Sequence, residues 1–291
     1  MIIKPIHPSF SAEVTEIDLR DPVPPAAVAE IEAAMDHYAV LAFRGQSIDD
    51  AQQLVFSRNF GPLEPAVNNI SSEKERRIDR NIADVSNLNE KNELLAHDDR
   101  RRMFNLGNML WHSDSSFKAT PSKYSLLSGR VVPSKGGDTQ FADMRAAWDG
   151  LDEDLKQQVV DLVAHHSLIY SRATLGFTEW TDAERQNFAP VRQRLVRRHP
   201  VTQRRSLFLA SHIGAIEGMP MPEARALVRD LIEHATQPAY VYSHAWRAGD
   251  LVIWDNRVTM HRGRRFDALH EVRDMRRTTV MDVASTLEQA A

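Results

Sequence analysis

The chain has no cysteine among its 291 residues, which excludes a disulfide framework, thiolate zinc sites, iron–sulfur clusters and a cysteine nucleophile. It also lacks a long apolar run. Nothing in it approaches the ~18 residues a membrane-spanning helix needs, and the opening MIIKPIHPSF has no secretory apolar stretch. Positive charge is not in excess either: the net charge of −4 and pI near 6.3 argue against nucleic acid or a membrane surface as partner. A cytoplasmic location is the simplest expectation for such a chain. The 12 glycines never fall in a G-x-G pair, so the dinucleotide fingerprint is missing. A phosphate-binding GxxxxGK[ST] loop, a GxSxG elbow and an HExxH helix are missing as well. These gaps leave histidine and carboxylate chemistry as the direction to follow.

What is present is an ordinary globular composition, 42% hydrophobic and 26% charged, long enough to bury a substantial core. Two short strands, IIKPI and AEVTEIDL, precede a helix opened by Pro24-Pro25, a buried strand AVLAFRG and a second helix stopped at Gly61-Pro62. From residue 110 short strands dominate (MLWHSDSSF, KYSLLSGRVVP, DTQFADM, AYVYSHAW, DLVIWDN, VRDMRRTTVMDV), interrupted by helices at about 144–164 and 221–236. The pattern predicts a mainly β fold with flanking helices, an antiparallel barrel or jelly roll in one domain spanning 1–291. Residues 64–107 differ: highly charged around a single plausible strand, NIADVSN, they read as a mobile lid or an insertion.

His-x-Asp arises twice, at His97-Asp98-Asp99 and His112-Ser113-Asp114, no more often than 12 histidines and 40 carboxylates would give by chance. Context separates them. His97 sits in a solvated charge run, whereas His112 lies among apolar and aromatic residues in a strand-like segment. There, a period of two would put His112 and Asp114 on one face. A second histidine would complete the two-histidine, one-carboxylate triad that leaves open positions on non-haem Fe(II). His261, after the strand pattern LVIWDN, is the candidate, with a structural histidine at a strand end as the alternative. In VRDMRRTTVMDV, Arg273, Met275 and Arg277 share one face and Asp274 and Arg276 the other. If the first face is interior, its two guanidinium groups call for acidic ligands; if exterior, they are merely solvated.

Together, His112-Ser113-Asp114, Gly136-Gly137-Asp138-Thr139, Trp254-Asp255-Asn256…His261-Arg262-Gly263 and Arg273-x-x-x-Arg277 resemble the taurine/2,4-dichlorophenoxyacetate dioxygenase family over most of the chain. FRGQ, FGPLE, DMRAAWDGL and HRGRR bring it nearer the phenoxyacetate branch. The resemblance implies a double-stranded β-helix that uses Fe(II), with 2-oxoglutarate and O2 as co-substrates. It makes His112, Asp114 and His261 the iron ligands and the catalytic centre. It gives Thr139 and Arg273 the distal carboxylate of 2-oxoglutarate, and Arg277 the anionic group of the substrate. Asn108 would stand beside the oxygen and substrate site, with His199 and His212 near the substrate pocket. The implied reaction hydroxylates a small anionic substrate, an aryloxyalkanoate such as 2,4-dichlorophenoxyacetate, releasing a phenol, glyoxylate, succinate and CO2. A homo-oligomer is the expected assembly.

Two departures stand out. The spacing from His261 to Arg273 is one residue longer than the family's, implying an insertion around 268–272. Asn68 and Asn69 occupy the place where the phenoxyacetate-type enzyme carries a lysine. The rival expectations are the same chemistry on another anion, such as an alkylsulfonate, and a cupin-like metal-binding protein without turnover.

Overall fold

The computed structural model describes residues 1–66 and 76–289; Asn68 and Asn69 lie outside the described residues. The architecture is mainly β, with several sheets and flanking helices. The largest sheet has seven strands in the spatial order Ile2–Pro5, Ala12–Thr15, Val40–Phe43, Leu251–Asp255, Ser122–Val131, Asp274–Met281 and Ala83–Asp84. Except for the parallel pairing of Ala12–Thr15 with Val40–Phe43, its neighbours run antiparallel. A three-stranded sheet, Val241–His244, Thr139–Asp143 and Thr259–Gly263, stands against it. The strand AVLAFRG owes its central place to being apolar on both faces: Val40, Leu41, Ala42 and Phe43 are all fully buried.

The two faces of the large sheet bury different material. One packs Leu41, Phe43, Tyr124, Leu126 and Ile253 under the helix Pro25–Tyr38, whose Ile31, Ala34 and Met35 lie on its inward stripe. The other face brings Leu127, Val252, Trp254 and Met275 against Phe141 of the three-stranded sheet, so the sheets share a core. A third core forms around the helix Met221–Ala235, whose Ala224, Val228, Leu231 and Ala235 pack with Trp148 and Leu207. Among the described residues, no helix is long and apolar enough to cross a membrane.

Two sequence expectations change. The helix anticipated over 144–164 is two short ones, Met144–Asp149 and Glu153–Val159, because Gly150 ends the first and Asp152 caps the second at Leu155 N. The strand anticipated over MLWHSDSSF is reduced to one bridge at His112, after which the chain turns through 114–117. Ser115 adopts φ 54°, which an extended strand cannot include.

Candidate active site

His112 and His261 meet across that bridge. His112 N donates to His261 O at 3.0 Å and His261 N to His112 O at 2.8 Å, leaving the ring centroids 4.2 Å apart. The turn then swings Asp114 back to them: its Oδ1 lies 3.9 Å from His112 Nε2 and its Oδ2 3.7 Å from His261 Nε2. Backbone pairing and a turn, not strand period alone, therefore bring the three side chains together. All three are buried, and one ligand atom from each falls within 4.8 Å of the others.

A shell of side chains fixes Asp114. Ser125 Oγ donates to Asp114 Oδ2 at 2.7 Å, and Asn256 Nδ2 donates to Ser125 Oγ at 3.0 Å. Asn256 Oδ1 accepts from Asp114 N at 3.1 Å and from Trp254 Nε1 at 3.0 Å. The WDN motif is thus the scaffold of the carboxylate. His112 Nδ1 lies 2.7 Å from Leu110 O; donating there, it leaves Nε2 free as an acceptor toward the cluster. Burial lowers the pKa of both imidazoles despite the nearby Asp114, keeping them in the neutral form a metal needs. Burial works the other way on Asp114, yet the Arg277 guanidinium and the Ser125 hydrogen bond outweigh it and hold the carboxyl down at about 2. Arg277 Nη1 reaches Asp114 Oδ1 at 2.5 Å. Two neutral imidazoles and one carboxylate without a thiolate suit Fe(II), and a facial triad leaves open positions for co-substrates.

Around the triad lie the other anticipated residues. Thr139 begins the strand that pairs with Thr259–Gly263, opposite Gly263, and its Oγ1 accepts from Trp246 Nε1 at 2.9 Å. That contact leaves the Thr139 hydroxyl proton free to donate elsewhere. The Gly136-Gly137 turn leading to it has φ of 76° and 74°, and a Cβ on Gly136 would meet Arg265 O at 2.4 Å. A Cβ on Gly137 would stand 3.7 Å from Arg273 Nε, so the Arg273 guanidinium sits beside the same turn. Burial, with no carboxylate to offset it, pulls the pKa of Arg273 down to about 10. Its backbone is pinned by Asn87, whose Oδ1 accepts from Arg273 N at 2.8 Å and whose Nδ2 donates to Ala268 O and Glu271 O at 2.9 and 2.8 Å. Those bonds stitch the stretch in which the spacing implied an extra residue. A half-buried guanidinium with no acid partner among the described residues fits a carboxylate-bearing co-substrate.

A cavity of about 190 Å³ opens on the other side, bordered by His112, Asp114, Asn108, His212 and Arg277, with Phe104, Phe117 and Leu168 as apolar wall. The described part of the charged segment supplies Arg77, Ile82, Leu95 and Phe104 to that border. Its strand Ala83–Asp84 pairs with Arg276 and Arg277, inside the NIADVSN anticipated as a strand. His212 is buried with Nδ1 2.9 Å from Ser171 Oγ and its ring 5.8 Å from that of His112. His199 is placed elsewhere. It follows the hairpin strand Val196–Arg198, its Nε2 lies 3.3 Å from Asp255 Oδ2 and 3.6 Å from Asp36 Oδ1, and it does not border the cavity. Sequence reasoning did not single out Ser125, Asn87, Trp246 or Arg172. Only Asn256 carried a signal, within the quoted WDN.

The buried two-histidine, one-carboxylate cluster, taken with the family and relatives that the chain matches, defines a 2-oxoglutarate-dependent non-haem iron dioxygenase. The chain belongs to the taurine catabolism dioxygenase TauD, TfdA family, whose pattern matches residues 2–279. It is 44% identical to the alpha-ketoglutarate-dependent 2,4-dichlorophenoxyacetate dioxygenase of Cupriavidus pinatubonensis, over 98% of this chain and 99% of that one. It is 40% identical to the (S)-phenoxypropionate/alpha-ketoglutarate-dioxygenase of Sphingobium herbicidovorans, over 91% of this chain and 90% of the relative. The crystal structure of AAD-2 in complex with Mn(II) and N-oxalylglycine superposes with a TM-score of 0.93 at 52% identity, covering 99% of this chain and 100% of that one.

Proposed function

We propose that this protein hydroxylates an aryloxyalkanoate, 2,4-dichlorophenoxyacetate or a close congener, on a double-stranded β-helix scaffold in the cytoplasm. The observation that carries the reading is the juxtaposition of the His112–Asp114–His261 cluster with a partly aromatic cavity bordered by Arg277. Likeness along nearly the whole chain to enzymes named for aryloxyalkanoates supports the substrate class. His112, Asp114 and His261 would hold Fe(II), which with 2-oxoglutarate and O2 supplies the power to oxidise a C–H bond, one oxygen atom going to the substrate and one to succinate.

The chain's own residues do the positioning. Arg273 and the Thr139 hydroxyl hold the far carboxylate of 2-oxoglutarate, the first by charge and the second by the proton that Trp246 leaves free. Arg277, already against Asp114, orients the substrate's carboxylate beside the metal ligands. Phe104, Phe117 and Leu168 exclude water from the ring-binding wall, while Asn108 and His212 offer polar contacts next to His112. The described part of the charged segment, from Arg76 to Phe104, covers the outer side of the cavity over the bound substrate. Hydroxylation at the carbon that bears the ether oxygen gives a hemiacetal, which collapses to a phenol and glyoxylate.

Anaerobic loading with Fe(II) and 2-oxoglutarate, then oxygen exposure with aryloxyacetates, aryloxypropionates and alkylsulfonates, tests this. Phenol and succinate in equal amounts are expected from the aryloxy acids. Coupled turnover of sulfonates alone would move the substrate to that class. Metal binding without oxygen-dependent succinate would leave a binding protein.

A further inference from the structure

The cavity has a cationic residue that the proposed chemistry does not use. Arg172 lies on the short helix Leu168–Ala173 and is only 4% exposed. Its guanidinium carbon stands 4.4 Å over the ring of Phe104, and its Nη1 donates to Ser171 Oγ at 3.1 Å. Nε is buried without a partner, and among the described residues no carboxylate lies within ion-pair distance. Gly107 faces this side chain, and a Cβ there would come 2.2 Å from Arg172 Cζ, so any other residue type at position 107 would push the guanidinium from this place.

The other cationic groups on the border are accounted for. Arg77 meets Asp84 and Asp274, Arg101 meets Asp99 and Glu90, and Lys118 meets Glu64. Arg76 donates to the carbonyls of Ala66 and Asp79. Arg277 meets Asp114, so the cation nearest the metal ligands is already neutralised by one of them. A buried guanidinium without an anion is costly unless something brings the anion. Burial alone draws the pKa of Arg172 down, to about 10, with no acid acting against it.

We propose that Arg172 supplies the uncompensated positive charge by which this cavity selects a monoanionic substrate, binding the same anionic group that Arg277 orients. This rests on the aryloxyalkanoate reading for the identity of the substrate but not for its charge. Arg172 is then a specificity-determining residue on the helix side of the cavity, with Gly107 as its seat. A neutral isostere of the substrate loses this contact, whereas 2-oxoglutarate, held beside the Gly136-Gly137 turn, does not depend on it.

The test is equilibrium binding to the anaerobic Fe(II)–2-oxoglutarate protein, where no turnover occurs. Calorimetry compares 2,4-dichlorophenoxyacetate with its primary amide in wild type, Arg172→Met, Arg172→Lys and Gly107→Ala. Arg172→Met is expected to reduce the preference for the acid by about 30-fold or more, the lower end of what losing a buried charge partner does. Arg172→Lys should restore part of that preference. Gly107→Ala, which displaces the guanidinium without removing its charge, should shift the preference in the direction of Arg172→Met. Affinity for 2-oxoglutarate should stay close to wild type in all three. An unchanged acid-to-amide ratio in folded Arg172→Met and Gly107→Ala protein overturns the inference, as does a wild type that binds both ligands equally. Should Arg172→Met fail to fold, Arg172→Lys and Gly107→Ala carry the comparison. Failure of the substrate reading looks different: the ratio falls in the variants, but oxygen yields no phenol from the wild type.

Discussion

The closing strand, Asp274–Met281 with Arg273 just before it, treats its two faces in opposite ways. On the outer face Arg276 meets Asp274, with Asp50 and Asp84 within 3.7 and 3.8 Å, and Arg77 reaches across to Asp274 and Asp84 at 2.7 and 2.9 Å. Each guanidinium there has a carboxylate of the chain's own. On the inner face Met275 enters the shared core, Arg273 has no acid partner among the described residues, and the carboxylate that meets Arg277 is a metal-ligand candidate. Charge balanced within the chain holds structure together. Charge left unbalanced inside a fold is held there by surrounding packing and is available to a ligand. Arg172, on a different element, follows the inner pattern.

The largest effect should come from the cluster that the inner face serves. Replacing His112, Asp114 or His261 by Ala should lower Fe(II)-dependent succinate formation by more than about 100-fold, beyond the 10- to 100-fold typical for groups that only orient ligands. Metal titration followed by succinate assay reads this, and a variant that kept near wild-type activity would remove its residue from the triad.

Next, the two faces can be set against each other by one substitution on each. Arg273→Ala should weaken 2-oxoglutarate binding by about 30-fold to several thousand-fold, the loss of a partner worth about 2–5 kcal/mol. It should leave urea stability unchanged or raised, since a half-buried cation without an acid partner among the described residues is removed. Asp274→Ala should do the reverse: stability falls by about 3–5 kcal/mol as Arg77 and Arg276 lose their shared acid, while 2-oxoglutarate affinity changes little. Equal losses of stability in both variants would erase the distinction.

The smallest effect is a slope with pH. Burial tends to raise the pKa of Asp274, but Arg77 and Arg276 outweigh it and lower it from the ordinary carboxylate value. Such a depressed acid contributes its full stability above the unfolded pKa of about 3.9 and loses it as pH falls through the folded value. Urea midpoints from neutral pH downward should therefore fall less steeply in Asp274→Asn than in wild type. For Arg273 the shift is of the other kind. A guanidinium lowered to about 10 stays protonated throughout the acid range, so Arg273→Met should not alter the acid slope. A change of slope in that variant would show that Arg273 has an acid partner after all.

Legibility followed the range of the physical signal. Alternation along VRDMRRTTVMDV put Arg273, Met275 and Arg277 on one face, and the structure has Met275 in the core and Arg277 at Asp114. Which face was interior was not in the strand itself, because solvent and ligand satisfy a guanidinium equally well in one dimension. His112 and Asp114 were legible as a pair, yet the strand expected to align them gave way to a bridge and a turn, with Ser115 at φ 54°. Nothing along the sequence placed His199 beside Asp255, where its hairpin carries it. Arg172 looked like any arginine of a short amphipathic helix, and its missing partner could be recognised only once Gly107 and Phe104 stood beside it.

What the sequence by itself determined is the chemistry available: no thiolate, a His-x-Asp pair with a distant histidine, a hydroxyl after a glycine turn and two arginines four residues apart. Those follow from side-chain type and local period, which are properties of neighbours along the chain. Tertiary structure alone decided which charges would be answered. Whether a buried guanidinium meets a carboxylate depends on elements far apart in sequence arriving within a few ångströms, and the cost of a buried charge is set by that meeting.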